Sequence, residues 1–105
     1  MQVIFKQEYL KDLYETGKPQ DKKHRFQPDI IRRYGRVIDL MIASDNVLSL
    51  MKYGSLHYEH LHGNKEGLSS VRVNNQYRIE FEEEIKDGET IASICNITDL
   101  SNHYK

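Results

Sequence analysis

The stretch SSVRVNNQYRIEF, residues 69–81, decides the fold of this chain. Apolar residues alternate with polar ones on both sides of its centre, which is the pattern of a β-hairpin. A two-residue turn would pair apolar with polar side chains across the two strands. A three-residue turn over 74–76 instead pairs Val71 with Ile79 and leaves one apolar face, so we predict this register.

The same register places two arginines opposite each other. Arg72 pairs with Arg78 on the polar face, and Glu80 lies one diagonal away. Like charges in this position are unfavourable. The pair is therefore either part of a surface Arg-Glu network or an anion site in which two guanidiniums hold one phosphate, and the residues alone leave both interpretations open.

The segments around the hairpin complete an α+β pattern. We predict a strand over 3–5, helices over 7–16 and from Pro28 onward, a short helical turn over 46–52, a loop over 53–68 and a last strand over 90–97. The expected order is β-α-α-β-β-β in a single domain, residues 1–105. Two N-terminal helices would then cover one side of an antiparallel-rich sheet.

Composition excludes several protein classes. No apolar run approaches the ~18 residues of a membrane-spanning helix, so no membrane partner is expected. The one cysteine, Cys95, rules out an internal disulfide and a cysteine zinc site. We therefore expect a protein of the reducing cytoplasm.

The net charge of −1 hides a segregation of charge along the chain. Residues 80–89 hold six acidic side chains, whereas residues 18–36 hold seven of the 15 basic ones. The basic members are Lys18, Lys22, Lys23, Arg25, Arg32, Arg33 and Arg36. This basic segment is either a solvated face or a surface that holds phosphates.

Groups able to transfer protons lie on both sides of the hairpin. They are His57, Glu59, His60 and His62 before it, and Asp99, His103 and Tyr104 near the C-terminus. The histidine spacing matches neither HExxH nor one helical face, so we expect neither a metal site nor another cofactor. These histidines are then either plain surface residues or acid-base groups that titrate near neutrality.

Three motifs together resemble a known family. LHGNKEG (61–67), SVRVN (70–74) and QYRIEF (76–81) are similar to the HigB branch of the RelE/ParE toxin superfamily, in which a pattern close to L-K-G-[DN]-[RK]-E-G precedes a [QN]-[WY]-R-I-x-F strand. The resemblance implies a compact RelE-like, microbial RNase-like fold. It also implies a toxin of a type II toxin–antitoxin system, with a helix-turn-helix (HigA-like) antitoxin, that cleaves mRNA in the ribosomal A site.

The resemblance also suggests residue roles. Arg78 matches the arginine expected at the scissile phosphate. Glu59 stands at a position that varies in the family, where some members have a histidine implicated in catalysis. His62 replaces the lysine of L-K-G. The family often ends in Asp-Tyr-His: an ungapped match keeps Asp99, whereas a small insertion would bring His103 and Tyr104 onto this motif.

The implied chemistry is metal-independent RNA cleavage. Glu59, His57 or His60 would act as the base, Arg78 and Arg72 would stabilise charge, and His103, Asp99 or Tyr104 would act as or orient the acid. Contacts to RNA are expected from Arg72, Lys65, His62, Lys22, Lys23, Arg25, Arg32, Arg33 and Arg36. Two alternatives stay open: a ParE-like toxin that binds and inhibits DNA gyrase without cutting RNA, and an inactive member that only binds its antitoxin.

Overall fold

Five strands form one mixed sheet in the computed structural model, which describes residues 1–18 and 25–102. The elements are β1 (Gln2–Phe5), α1 (Glu8–Glu15), α2 (Pro28–Ala43), α3 (Val47–Met51), β2 (Glu59–His60), β3 (Ser69–Arg72), β4 (Arg78–Glu84) and β5 (Ile94–Ser101). The strand order is β1-β5-β4-β3-β2, and β1 runs parallel to β5 while the other neighbours are antiparallel. The predicted α+β class is confirmed.

The two long helices follow the signals in their sequences. α1 ends before Gly17, whose φ of 73° closes the helix in the left-handed region that glycine tolerates. α2 starts at Pro28, and its apolar stripe is buried along most of its length. The apolar residue Ile42 is 44% exposed although its neighbour Met41 is fully buried, so Ile42 lies outside the buried side of the helix.

The hairpin has the predicted odd register. Val71 pairs with Ile79 and Arg72 pairs with Arg78. The side chain of Asn74 closes the turn, since its Oδ1 accepts hydrogen bonds from the backbone N–H of Gln76 at 2.9 Å and of Tyr77 at 2.7 Å. Burial of one apolar face and this Asx turn therefore select the same register.

The last strand is displaced from its predicted position. β5 covers Ile94–Ser101 rather than 90–97, and it lies inside the sheet between β1 and β4. Residues 90–93 instead lead out of a turn at which Gly88 has a φ of 84°. The strand continues through the mostly polar residues 98–101. Leu100 is buried opposite Ile79, and this one apolar contact brings its polar neighbours into the sheet.

A fifth strand was not predicted. The segment 53–68 contains β2 between two 3₁₀ turns, Gly54–Leu56 and Gly63–Lys65. β2 has only two residues, Glu59 and His60, and both are exposed, so it shows no apolar alternation in the sequence. It nevertheless adds an edge to the sheet beside β3.

The core lies between the helices and one face of the sheet. Tyr34 of α2 is fully buried and its hydroxyl donates to the carbonyl oxygen of Leu10 at 2.7 Å, which ties α2 to α1. Phe81 and Ile97 are also fully buried, and side chains of this kind contribute about 1.5–3 kcal/mol each on burial. The opposite face is left for polar side chains. No helix within the described residues is long and apolar enough to span a bilayer.

Candidate active site

Two arginines meet on the polar face of the hairpin, as its register predicts. Arg72 ends β3 and Arg78 begins β4, directly opposite each other. Both side chains contact His57, which follows the first 3₁₀ turn and has a φ of 45°. The guanidiniums therefore lie on the same side of the sheet and converge on one residue.

Three groups among the described residues contact the guanidinium of Arg78. Its Nη1 lies 3.1 Å from Oε1 of Glu59, 3.1 Å from Oγ of Ser70 and 3.2 Å from the carbonyl oxygen of His57. Only 14% of the Arg78 side chain is exposed, whereas 49% of the Glu59 side chain is. The arginine is thus fixed in the sheet, and its carboxylate partner is open to an incoming ligand.

Arg72 is fixed from the other side. Its Nε donates to the carbonyl oxygen of Asn74 at 3.1 Å, and a second nitrogen donates to the side chain of Asn75. Its Nη1 lies 3.2 Å from Nε2 of His57. Because a guanidinium has no acceptor, the histidine nitrogen accepts in this contact. Each arginine therefore holds one candidate base: Arg78 holds Glu59, and Arg72 holds His57.

His60 lies on the other face of the sheet. Neighbouring residues of a strand point to opposite faces, and β2 pairs Glu59 with Ser70 but His60 with Ser69. Nδ1 of His60 lies 3.1 Å from Oγ of Ser69, which donates to Glu83 at 2.6 Å. The structure therefore does not bring His60 to the two arginines.

The network around His60 is partly buried and closed by a tyrosine. The hydroxyl of Tyr58 donates to Glu83, and burial raises the pKa of the Tyr58 phenol, to which the hydrogen bond with Glu83 adds. A small cleft of about 270 Å³ opens beside this network and also contains His62. His62, which we expected at the RNA, thus lies with His60 and not with Arg78.

Lys65 is already paired within the protein. Its Nζ lies 2.6 Å from Oε2 of Glu80, and the exposed fractions of the two side chains are 27% and 3%. The lysine belongs to the second 3₁₀ turn, whereas Glu80 lies in the centre of β4. The contact therefore fastens the 61–68 loop to the sheet.

Asp99 lies in β5 rather than in a free tail. It pairs with Glu80, next to a register shift between β4 and β5, and it is half-buried. Its Oδ1 accepts a hydrogen bond from the hydroxyl of Tyr9 in α1 at 2.7 Å. Burial raises the pKa of the Tyr9 phenol, and the contact with Asp99 adds to this shift. Asp99 is thus a carboxylate with a defined orientation on the strand beside Arg78.

Part of the basic segment reaches the hairpin. Arg33 and Arg36 of α2 line an open cleft of about 910 Å³, which Arg72 and the 73–76 turn close from the other side. Arg25 is exposed, and its neighbour Phe26 packs edge-on against Tyr77, with 5.6 Å between ring centroids. The cleft therefore continues from α2 to the first arginine of the pair.

Arg32, another member of the predicted RNA-binding set, lies outside this cleft. Arg32 is absent from the residues lining this cleft and donates to Asp29 at 2.6 Å. Lys22 and Lys23 lie outside the described residues, as do His103 and Tyr104 near the C-terminus. The two arginines of α2 and the hairpin thus carry the basic surface that the structure describes at this site.

Comparison with known proteins identifies the family. Residues 3–94 match the model of the HigB-like toxins, described as the RelE-like toxin of the type II toxin–antitoxin system HigB. The chain belongs to this family. It is therefore a toxin of a type II toxin–antitoxin system, whose partner is an antitoxin, and toxins of this kind inhibit translation as mRNA interferases.

Individual relatives agree with this assignment. The chain is 35% identical over 83 residues to Toxin HigB-1 of Vibrio cholerae serotype O1 (strain ATCC 39315 / El Tor Inaba N16961), an alignment that covers 78% of this chain and 83% of the relative. The fold is similar to that of the YoeB/ParE toxin from Agrobacterium tumefaciens, with a TM-score of 0.53 and 16% identity over 99% of this chain and 100% of that one. At this identity the second likeness shows the fold alone.

Two residues of the site in this HigB-like toxin were not predicted from its sequence. Ser70 contacts Arg78, and strand parity was a usable signal for it, because Ser70 lies two residues before Arg72 and shares its face. Tyr9 has the helical spacing of a core residue, and nothing in its sequence context points to Asp99.

Proposed function

We propose that this toxin cleaves ribosome-bound mRNA with its own side chains and without a metal ion. The observation that carries the proposal is the convergence of Arg72 and Arg78 beside the half-exposed carboxylate of Glu59. Two guanidiniums provide paired donors for a phosphate, and a carboxylate within reach of the same phosphate can take a proton.

The reaction that fits this arrangement is attack by a ribose 2′-hydroxyl. The 2′-oxygen forms a bond to phosphorus while the bond from phosphorus to the 5′-oxygen breaks. Glu59 takes the proton of the 2′-hydroxyl, and an acid returns a proton to the leaving 5′-oxygen. Arg78 and Arg72 stabilise the negative charge that grows on the phosphoryl oxygens.

Glu59 is the better base than either flanking histidine. A carboxylate has two oxygens, so Oε2 of Glu59 can take a proton while Oε1 contacts Arg78, whereas the single lone pair at Nε2 of His57 accepts from Arg72 and His60 lies on the opposite face. Among the described residues, Asp99 lies on the strand next to Arg78 and can act as the acid or orient it. His103 and Tyr104 remain candidates from the sequence for the same role.

The substrate reaches this site along the cleft between α2 and the hairpin. Arg33 and Arg36 offer phosphate contacts on one wall and Arg72 on the other, so a single strand of RNA in the cleft would meet Arg72, the residue directly opposite Arg78. Such contacts are blind to sequence and depend on salt. The ribosome would supply the remaining geometry by holding the mRNA in place, which lets a small set of side chains suffice.

The expected partners of the toxin follow from its family. We infer that the toxin works on the ribosome and mRNA of the cytoplasm and that its antitoxin is a helix-turn-helix protein of the HigA type. The support is the family of the chain, since an RNase of this kind needs a partner that restrains it. A short helix-turn-helix reading frame beside the toxin gene is the expected observation.

The test is cleavage of mRNA in a purified translation system. We expect wild-type protein to cut mRNA only when ribosomes translate it, and the upstream fragment to end in the 2′,3′-cyclic phosphate that attack by the 2′-hydroxyl produces. Arg78→Ala should reduce the cleavage rate at least a hundredfold, because loss of one preorganised donor to a transition-state oxyanion costs about 10²–10³ in rate. Lys52→Ala, which removes an exposed cation after α3, should cleave like wild type.

Two results would overturn the proposal. One is an Arg78→Ala protein as active as wild type. The other is a wild-type protein that leaves mRNA intact but inhibits purified DNA gyrase, which would support the ParE-like alternative.

A further inference from the structure

The hydroxyl of Tyr9 makes two contacts at one point of β5. It donates to Oδ1 of Asp99 at 2.7 Å, and it accepts from the backbone N–H of Leu100 at 3.4 Å. Tyr9 itself is 5% exposed, so its ring has little freedom to move. Both the donor and the acceptor function of this phenol are thus directed at the residue pair 99–100.

This contact exists because β1 is shorter than β5. The parallel pairing ends at Phe5 and Ile97, after which the chain turns into α1 and leaves the edge of β5 uncovered. The side chain of Gln7 donates to the carbonyl oxygen of Thr98 at 2.7 Å, and Tyr9 follows at the next residues of the strand. The first turn of α1 therefore takes the place of the missing strand.

The regular ladder is interrupted at the same point. The pairing of β4 with β5 shifts between Glu80 and Phe81, so Thr98 lies opposite no residue of β4. Such an irregularity disrupts the ladder locally and re-aims side chains beside it. The hydrogen bond from Tyr9 holds the carboxylate of Asp99 at this point.

Asp99 is also the diagonal neighbour of Arg78. Arg78 pairs with Ser101 and Glu80 pairs with Asp99, so Arg78 and Asp99 are offset by two residues. Residues in this relation are about 7–8 Å apart, within reach of a long side chain and of a nucleotide bound to it. The orientation of this carboxylate thus decides whether it can meet an RNA held by Arg78.

We propose that Tyr9 is a positioning residue of the toxin, which orients Asp99 for the proton transfer to the leaving 5′-oxygen during RNA cleavage. The inference rests on the proposed function. With Oδ1 of Asp99 engaged by Tyr9, the oxygen left to act on RNA is Oδ2. The raised pKa of the phenol supports this role, because it keeps Tyr9 a hydrogen-bond donor over the whole physiological range.

The test compares two Tyr→Phe variants that each lose one buried hydroxyl. Tyr9→Phe removes the hydrogen bond to Asp99. Tyr34→Phe removes the hydrogen bond to the Leu10 carbonyl, which joins α2 to α1 and has no part in the proposed chemistry. We expect Tyr9→Phe to lower the single-turnover cleavage rate on translating ribosomes by about tenfold or more, since hydrogen bonds to charged groups are the strong ones. The toxin concentration that gives half the maximal rate should not change. Tyr34→Phe should cleave within twofold of wild type, and thermal unfolding of both variants shows that they fold.

A double-mutant cycle separates positioning from a merely structural role. Asp99→Asn should lower the rate further than Tyr9→Phe, and the double variant should be no slower than Asp99→Asn alone, because the proposed effect of Tyr9 on the rate passes through this carboxylate. Additive losses would overturn the inference, as would a Tyr9→Phe rate equal to that of Tyr34→Phe. An Asp99→Asn protein as active as wild type would overturn it too.

These outcomes differ from failure of the proposed function. If wild-type toxin cuts mRNA and needs Arg78 while Tyr9→Phe is fully active, the function stands and the role of Tyr9 is lost. If wild-type toxin cuts no mRNA, the proposed function fails first and the role of Tyr9 fails with it.

Discussion

Replacement of Lys65 by methionine should destabilise the protein more than any other change of a single lysine in the described residues. The lysine pairs at 2.6 Å with Glu80, whose side chain is 3% exposed. Methionine keeps most of the apolar stem but leaves the buried carboxylate without its cation. The sequence patterns predicted an RNA contact for Lys65, so this variant also decides between two roles for one residue.

The magnitude follows from burial. Removing one partner of a fully buried ion pair costs about 3–5 kcal/mol, because the remaining charge is left uncompensated. Lys65 is 27% exposed, so water can replace part of the lost contact. We therefore expect a loss of about 2–3 kcal/mol in the free energy of unfolding, which corresponds to a Tm lower by roughly 10 °C for a domain of this size.

The assay is urea unfolding followed by circular dichroism, with two matched variants. Lys52→Met alters an exposed lysine and should change the free energy of unfolding by less than about 0.5 kcal/mol. Lys65→Met combined with Glu80→Gln should recover much of the loss, since an amide is cheaper to bury unpaired than a carboxylate. If Lys65→Met unfolds like wild type but binds or cuts RNA less well, the ion pair is weak and Lys65 is an RNA ligand.

Two further predictions concern stability and reactivity. Gly35→Ala should stabilise the protein by about 0.5–1 kcal/mol in urea unfolding, because the residue lies inside α2 with nothing within 4 Å of an added Cβ. Gly17→Ala should destabilise it, because the φ of 73° strains an L-residue. A gain in stability for both variants would refute the backbone argument. Burial raises the pKa of the Cys95 thiol from 9.0 to about 12, so at pH 8 the folded protein should not react with a thiol reagent that labels it fully in urea. Rapid labelling of the folded protein would show that this strand opens far more readily than its burial implies.

The parts of the fold that sequence predicted correctly share one property: a buried apolar face repeats within them. The helices and the hairpin register follow from such repeats. In the hairpin, the pairing of Val71 with Ile79 determines to which face each of the remaining side chains points. The displaced strand shows the limit of this reasoning. Ile91 and Ala92 are apolar but pack outside the sheet, whereas Leu100 sits among polar residues and brings them into β5. Burial in a strand depends on the neighbouring strand, which local composition does not reveal.

The candidate site was predictable to the same degree. The pairing of Arg72 with Arg78 required only the register, and the structure shows it. The partners of these arginines required the third dimension. Tyr9 of α1 contacts Asp99, which lies 90 positions further along the chain. Lys65, which matches a family motif, forms an ion pair with Glu80, 15 positions away. No periodicity in the sequence encodes contacts of this kind.

The shortest strand of the sheet has the largest effect on the chemistry. Two residues of β2 suffice to send Glu59 and His60 to opposite faces, because side chains alternate along any extended segment that is paired with a neighbour. In a loop, both could have approached the arginine pair, and the sequence left the base undecided among three residues. Once Glu59 pairs with Ser70, whose hydroxyl also contacts Arg78, the carboxylate is on the arginine side and the imidazole is joined to Ser69 and Glu83 instead. A change that unpaired β2, such as Ser70→Pro on its partner strand, would therefore remove the base from the site while leaving both arginines in the chain.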